Sequence, residues 1–305
     1  ISFIYLSSGS LAYQNLAIIK DSAMQWYATL GIVLLLAGVC FKFGLAPFHM
    51  WVPDVYQGAP TAVTLLIATA PKFAAFAFIF RLLVEGMGEG RMMLEWRQML
   101  LLLGVMSIGL GNLVAIAQTN IKRMLAYSTM AHMGFVLLGF STGLTSGIAA
   151  SLFYVSTYVL AALGAFGMIL FLSRRGFESD EINDFKGLSR TSPWLAFTML
   201  LIMFSMAGIP PTIGFWAKLS ILQGVVETGF VGVAVFAVIM SLVGAFYYLR
   251  IIKLMFFDEL GNNKVVNENN GPTLLLSLNG AAMLALGLLP GLVLAFFERI
   301  IKLSL

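Results

Sequence analysis

"AGVCFKFGLAPFHMW", residues 37–51, sets a lysine inside an apolar run that opens near Met24 and carries no other charge before Asp54. The rest of the chain is of the same kind. Of its 305 residues 60% are hydrophobic and 10% charged, and the mean hydropathy is +0.93. A soluble domain carries roughly a quarter charged residues, so the run reads as membrane-embedded. Apolar stretches of about 20 residues recur with polar punctuation, which is the length needed to cross a hydrocarbon core ~30 Å thick at ~1.5 Å per helical residue. A closed barrel would alternate in polarity over about ten residues, and the chain shows no such alternation. The fold class is therefore all-α, a polytopic transmembrane helix bundle forming a single domain over residues 1–305.

The tail of one span is expected at Ile1 to Ala12. Eight crossings follow, at about 24–51, 60–84, 98–118, 124–142, 147–172, 194–226, 230–256 and 272–298. Trp26, Trp51, Trp96 and Trp194 fall at span edges, where an indole prefers the headgroup level. The chain opens on Ile1 in mid-hydrophobic text, so its beginning is expected to be missing. Cys40 is the single cysteine and forms no intrachain disulfide. The pI near 9.2 does not indicate nucleic acid, because the basic residues are scattered one or two per connection. Lys122, Arg123, Arg174, Arg175, Lys186, Arg190, Arg250, Lys253 and Lys264 collect on one side, against Lys20, Arg81, Arg91, Arg97, Arg299 and Lys302 on the other. That excess marks the first side as cytoplasmic.

The remaining basic residues, Lys42, Lys72 and Lys218, lie within spans, where no acidic residue lies at the same depth. A lysine at a helix centre costs about 2.5–3.5 kcal/mol on insertion scales, so three uncompensated ones cost on the order of 8–10 kcal/mol. One way out is snorkelling of the long side chain to the interface. The other is a line of titratable amines in a wet interior, able to exchange protons. The backbone favours the second. Lys42 precedes Gly44 and Pro47, and Lys218 follows "AGIPPTIG", where Pro210 and Pro211 remove donors and Gly208 and Gly214 loosen the turns. These two spans, roughly 28 and 33 residues or about 42 and 50 Å if helical throughout, are expected to break. Broken helices are tolerated only where protein or a water-filled cavity satisfies the freed backbone. The two are five spans apart and so run in opposite directions, the pattern of an inverted-topology repeat.

Of the two histidines, His49 lies near a span end, and His132, in "AYSTMAHMGF", follows Tyr127, Ser128 and Thr129. His132 reads either as a hydrogen-bonded packing group or as a proton relay, which its ordinary pKa near 6.5 would suit. No Cys, Asp or Glu stands at ligand spacing from either histidine, so no metal site is expected. "GMGEGR" at 86–91 reads as a flexible loop, and no Walker motif or iron–sulfur cysteine set is present. Whatever drives ions through the chain is then a gradient or a partner protein.

"FKFGLAPFHMWVPDVYQGAPTAVT", "ATAPKFAAF", "NIKRMLAYSTMAHMGF", "DEINDFKGL" and "AGIPPTIGFWAKL", in that order over nearly the whole chain, closely resemble the antiporter-like subunit N family of the proton-translocating NADH-quinone oxidoreductases. The resemblance implies a fold of about fourteen helices, of which this chain holds the end of the sixth and the seventh to fourteenth. It also implies a proton relay through Lys42, Lys72, His132 and Lys218. A glutamate on an absent helix would pair with Lys42. Flavin, iron–sulfur clusters and quinone would sit on partner subunits, with no cofactor on this chain, in a bacterial inner membrane. Pro71 departs from the small polar residue common before the matching lysine, and is expected to bend the helix there. The alternative is a stand-alone or Mrp-type sodium/proton antiporter subunit. Against it stands the lack of an in-span carboxylate to supply hard oxygen ligands.

Overall fold

The computed structural model describes residues 1–12, 15–16, 24–88, 90–173, 178–259 and 270–304. The sequence-based placements of Lys20, Glu89, Arg174, Arg175 and Lys264 lie outside the described residues. Thirteen α-helices make up the fold among them. They are α1 (Ser2–Ser8), α2 (Gln25–Phe43), α3 (Trp51–Gly58), α4 (Thr61–Ile79), α5 (Gly90–Ile116), α6 (Ile121–Ser141), α7 (Thr145–Leu172), α8 (Leu188–Thr191), α9 (Pro193–Ala207), α10 (Ile213–Glu227), α11 (Val231–Phe256), α12 (Asn270–Leu288) and α13 (Pro290–Ser304). Seven of these, α2, α4 with its continuation to Glu85, α5, α6, α7, α11 and α12, are long and apolar enough to cross a membrane. The chain is a multi-pass membrane protein. Helices α9 and α10, 15 residues each and so about 22 Å long, span it only as a pair.

The bundle is organised around α6, in which every residue but Arg123 and Tyr127 is buried. Small residues bring α5 against it. A Cβ on Gly134 would lie 2.8 Å from the Gly104 carbonyl oxygen, the close backbone approach that packs helices where lipid tails supply no hydrophobic drive. Asn120 caps α6, its side chain accepting from the Arg123 amide at 3.0 Å. Lipid-facing flanks carry exposed leucines such as Leu66, Leu102, Leu242 and Leu275.

Several boundaries differ from the sequence reading. The expected span 272–298 is two helices, because Pro290 takes the first position of α13 and disfavours helical backbone at Leu289. Helix α13 turns back onto α7, with Phe297 5.7 Å from Phe153 between ring centroids. Helix α5 starts at Gly90 rather than 98, so Trp96 and Arg97 belong to it. Trp96 is buried and donates to the Met87 carbonyl at 2.9 Å. Helix α4 runs through Pro71 without interruption, and a π-helical turn follows only at Phe80–Glu85.

Outside the spans, the segment after α7 straps the bundle. Ile121 N–H donates to Asp180 O at 2.7 Å and Ile182 N–H to Thr119 O at 2.9 Å. Lys122, placed in a connection by sequence, is the second residue of α6 and is 2% exposed. It pairs with Glu178 at 2.6 Å and also donates to the Ala59 carbonyl at 3.2 Å. The hydrogen bond from Lys122 to Glu178 holds that carboxyl below its usual range.

Candidate functional site: buried lysines at two helix breaks

Both expected helix breaks are present, and they are built alike. Helix α2 ends at Phe43 and Gly44 takes φ 74; Ala46–Pro47 is cis, and α3 begins at Trp51. Helix α9 ends at Ala207 and Gly208 takes φ 82; Pro210–Pro211 is cis, and α10 begins at Ile213. In each, the glycine stands three residues before the second residue of the cis bond. The next amide (Leu45, Ile209) reaches back five residues, to Cys40 and Phe204 at 2.9 Å, a Schellman closure that needs a left-handed residue. Gly214, expected at the break, instead lies in the first turn of α10. A Cβ there would stand 1.8 Å from the Ser205 carbonyl oxygen, so its glycine serves the packing of α10 on α9.

The lysines do not occupy equivalent places in the two breaks. Aligned on the glycines, Lys42 matches Met206, whereas Lys218 follows its glycine by ten residues. The pairing appears one step later, in what the amines touch. Lys72, from the middle of α4 and 1% exposed, donates from Nζ to the Phe43 carbonyl at 2.9 Å. Lys218 donates to the Ala207 carbonyl at 2.8 Å and to Met206 at 3.3 Å. Each ammonium thus caps the C-terminal end of a broken helix, where unpaired carbonyls and the helix dipole supply negative potential. The compensation that acidic residues do not provide comes from backbone. Lys218 also lies 5.8 Å from the Phe135 ring centroid.

Lys42 is exposed, contrary to the expectation that its amine faces the interior. It borders an open groove of about 350 Å³ between α2 and α4, lined by Leu34, Val39, Ala75 and Phe78. Among the described residues no helix covers that face of α2. His49 is half-buried, its ring 6.3 Å from that of Tyr127.

His132 is the centre of a hydroxyl network on α6, α7 and α11. Its Nδ1 lies 2.8 Å from the Tyr154 hydroxyl and its Nε2 3.0 Å from the Tyr248 hydroxyl. Tyr248 also bonds Ser128, Thr129 pairs with Tyr158 at 2.7 Å, and Tyr247 donates to Asn112 at 3.0 Å. Two small cavities, about 10 Å³ each, adjoin both His132 and Lys218. The structure thus groups Lys218 with His132, and Lys72 with the break beside Lys42.

Sequence reading noticed Ser128 and Thr129 but missed the four tyrosines. The signal was present as a spacing. Tyr154 and Tyr158 stand at i and i+4, on one face of a helix, and phenols far from span ends need partners. Arg97 and Arg250, assigned to connections, extend the backbone-capping pattern. Arg97 Nε donates to Ser141 O at 2.8 Å at the end of α6, and Arg250 donates to Ile116 and Gln118 carbonyls at 3.4 and 3.3 Å at the end of α5.

Residues 1–265 match the profile of the NADH:quinone oxidoreductase/Mrp antiporter transmembrane family. The NADH-quinone oxidoreductase subunit N of Thiobacillus denitrificans is 57% identical over 291 residues, covering 95% of this chain and 60% of that protein. The chain therefore spans about three fifths of the length of the curated relatives it matches. Among solved structures, a chain of respiratory complex I from Thermus thermophilus with bound aureothin superposes with TM-score 0.81 at 36% identity, over 96% of this chain and 63% of that one. A chain of the Mrp complex from Dietzia sp. superposes with TM-score 0.84 at 21% identity, over 98% and 63%. The latter likeness is one of fold.

Proposed function

The chain belongs to the NADH:quinone oxidoreductase/Mrp antiporter transmembrane family, and from that premise we propose that it is part of a subunit N that translocates protons within a bacterial inner-membrane NADH-quinone oxidoreductase. Redox chemistry on flavin, iron–sulfur clusters and quinone takes place on partner subunits. Protons pass along Lys42, Lys72, His132 and Lys218. The observation that carries the reading is the placement of Lys72 and Lys218, each hydrogen-bonded at a broken-helix end to backbone carbonyls. An ammonium so held has no carboxylate partner among the described residues and is free to give up its proton. The open groove at Lys42 leaves room for the carboxylate-bearing helix that the resemblance implies. The identity to subunit N relatives favours this reading over a sodium/proton antiporter, with which the likeness is fold alone.

The test is purification of the intact protein from native membranes by an affinity tag, followed by proton pumping in vesicles. Co-purification of flavin and iron–sulfur proteins, with NADH-driven pumping that falls at least severalfold in Lys72→Met at equal assembly, is expected. Co-purification with antiporter subunits alone, or a Lys72→Met variant that pumps like the parent, would overturn the proposal.

A further inference from the structure

The hydrogen bonds around His132 leave a gap in any path from Lys218, and two cavities adjoin it. Both ring nitrogens of His132 are already engaged, one by Tyr154 and one by Tyr248. Lys218 spends its hydrogen bonds on the Ala207 and Met206 carbonyls, leaving at least one of its three N–H donors unassigned. A proton from Lys218 must therefore enter one of the tyrosine hydroxyls before it meets the imidazole.

Two cavities lie between these groups. One is bordered by Lys218, His132, Tyr154, Tyr158 and Thr157. The other is bordered by Lys218, His132, Tyr247, Tyr248 and Ser241. Each is about 10 Å³, the lower limit for one water. Each also contains a buried hydroxyl oxygen without a hydrogen-bond partner, Thr157 Oγ1 in the first and Ser241 Oγ in the second. Thr157 is only 7% exposed. Buried hydroxyls are almost always satisfied by protein or by ordered water. An apolar void would stay dry, but a void with an orphaned hydroxyl, an ammonium and tyrosine hydroxyls on its wall offers a water its usual two to four partners.

We infer that each cavity holds one bound water, positioned by Thr157 on α7 and by Ser241 on α11, and that these waters make two parallel links from Lys218 to His132 through Tyr154 and Tyr248. The inference rests on the proposed proton-relay function. The proton count closes at every step. Lys218 gives a proton to the water, the water passes a different one to the tyrosine oxygen, and the tyrosine gives its own to the unprotonated ring nitrogen. Water and tyrosine end neutral, the lysine ends as an amine and the histidine as an imidazolium. In the neutral ring one tyrosine donates and the other accepts, whereas the imidazolium donates to both. A proton arriving along one link therefore turns the hydroxyl of that tyrosine, which resets for the next. Thr157 and Ser241 are positioning residues, since they touch the water and not the lysine.

The experiment is an ordered-water map of the intact complex together with proton pumping in vesicles, for the parent, Thr157→Val, Ser241→Ala, the double variant and Thr157→Ser. A water peak is expected within hydrogen-bond distance of each hydroxyl in the parent, and loss of only the corresponding peak in each single variant. Pumping should fall about twofold in each single variant and more than tenfold in the double, with Thr157→Ser restoring both peak and rate. Dry cavities in the parent, or a double variant that pumps like the parent, would overturn the inference. The parent reading fails separately: if Lys218→Met pumps normally while both waters are present, the relay is wrong and the waters are not.

Discussion

Replacing Lys218 by methionine separates what its charge does from what its proton does. The substitution removes hydrogen bonds to Ala207 O at 2.8 Å and Met206 O at 3.3 Å. A hydrogen bond from a charged donor contributes about 1.5–3 kcal/mol, and the favourable end of the helix dipole adds about 0.3–1 kcal/mol. Against this loss, an ammonium at depth carries an insertion cost of about 2.5–3.5 kcal/mol, which methionine does not. Summed over both bonds and the dipole the loss is about 3–7 kcal/mol, of which the relieved insertion cost offsets about half or more, so the variant should still assemble, as read on a native gel. Proton pumping driven by NADH in inverted vesicles should nonetheless fall more than tenfold. Lys218→Arg completes the comparison. The guanidinium keeps charge and donors, but its pKa lies too high for it to release a proton. It should assemble and fail to pump. An Arg variant that pumps like the parent would mean that fixed positive charge is what the position supplies, and the relay reasoning would be refuted.

Gly208→Ala should cost about 1–2 kcal/mol, because φ 82 is left-handed and a Cβ there meets Lys218 Cδ at 2.8 Å; a lower thermal midpoint of the detergent-solubilised complex reads it. The Lys122–Glu178 pair should make stability pH-dependent on the acid side. The Glu178 carboxyl is held below its ordinary value of 4.5 by Lys122, so its contribution is fully present above that ordinary value and is lost as pH falls through the lowered one. Glu178→Gln should flatten the melting-temperature profile across that window and leave neutral-pH pumping unchanged; an unchanged acid profile would show that the pair is not what titrates.

The membrane fold was legible because apolar length is a strong signal: the expected crossings 60–84, 124–142, 147–172 and 230–256 lie within a few residues of single long helices or their continuations, and 98–118 shares its C-terminal end with α5. The pair α9 and α10 was legible too, since Gly208 and Pro210–Pro211 interrupt the pattern unambiguously. What composition hides is depth. Lys122, Arg97 and Arg250 sit at polar punctuation and read as connection residues, yet each reaches into the bundle to a helix end or a carboxylate. The exposed position of Lys42 was likewise invisible, because a helical run does not say which of its faces will be covered. The tyrosines around His132 were missed for a related reason. They come from α7 and α11, and only the packing of both onto α6 brings Tyr154 and Tyr248 to the same ring.

The two breaks also correct how the internal symmetry should be understood. Sequence pairs Lys42 with Lys218 because both stand near Gly and Pro, but the residues that play the same part are Lys72 and Lys218, which reach the carbonyl immediately before the left-handed glycine in each break. What repeats is therefore a backbone device, a helix stopped so that its last carbonyls turn toward an amine, and the amine reaches it from another helix in one case and from the continuation of the same span in the other. This explains how Lys72 and Lys218 are tolerated with no acidic partner among the described residues. A carboxylate would bind an ammonium as an ion pair and hold its proton, whereas carbonyl oxygens stabilise the ammonium yet accept no proton themselves. Where an amine must be both sheltered and able to let its proton go, a broken helix end serves better than an aspartate or glutamate. Lys42, whose amine meets neither break, is then the one lysine of the three for which a carboxylate partner from outside the described residues is the fitting complement.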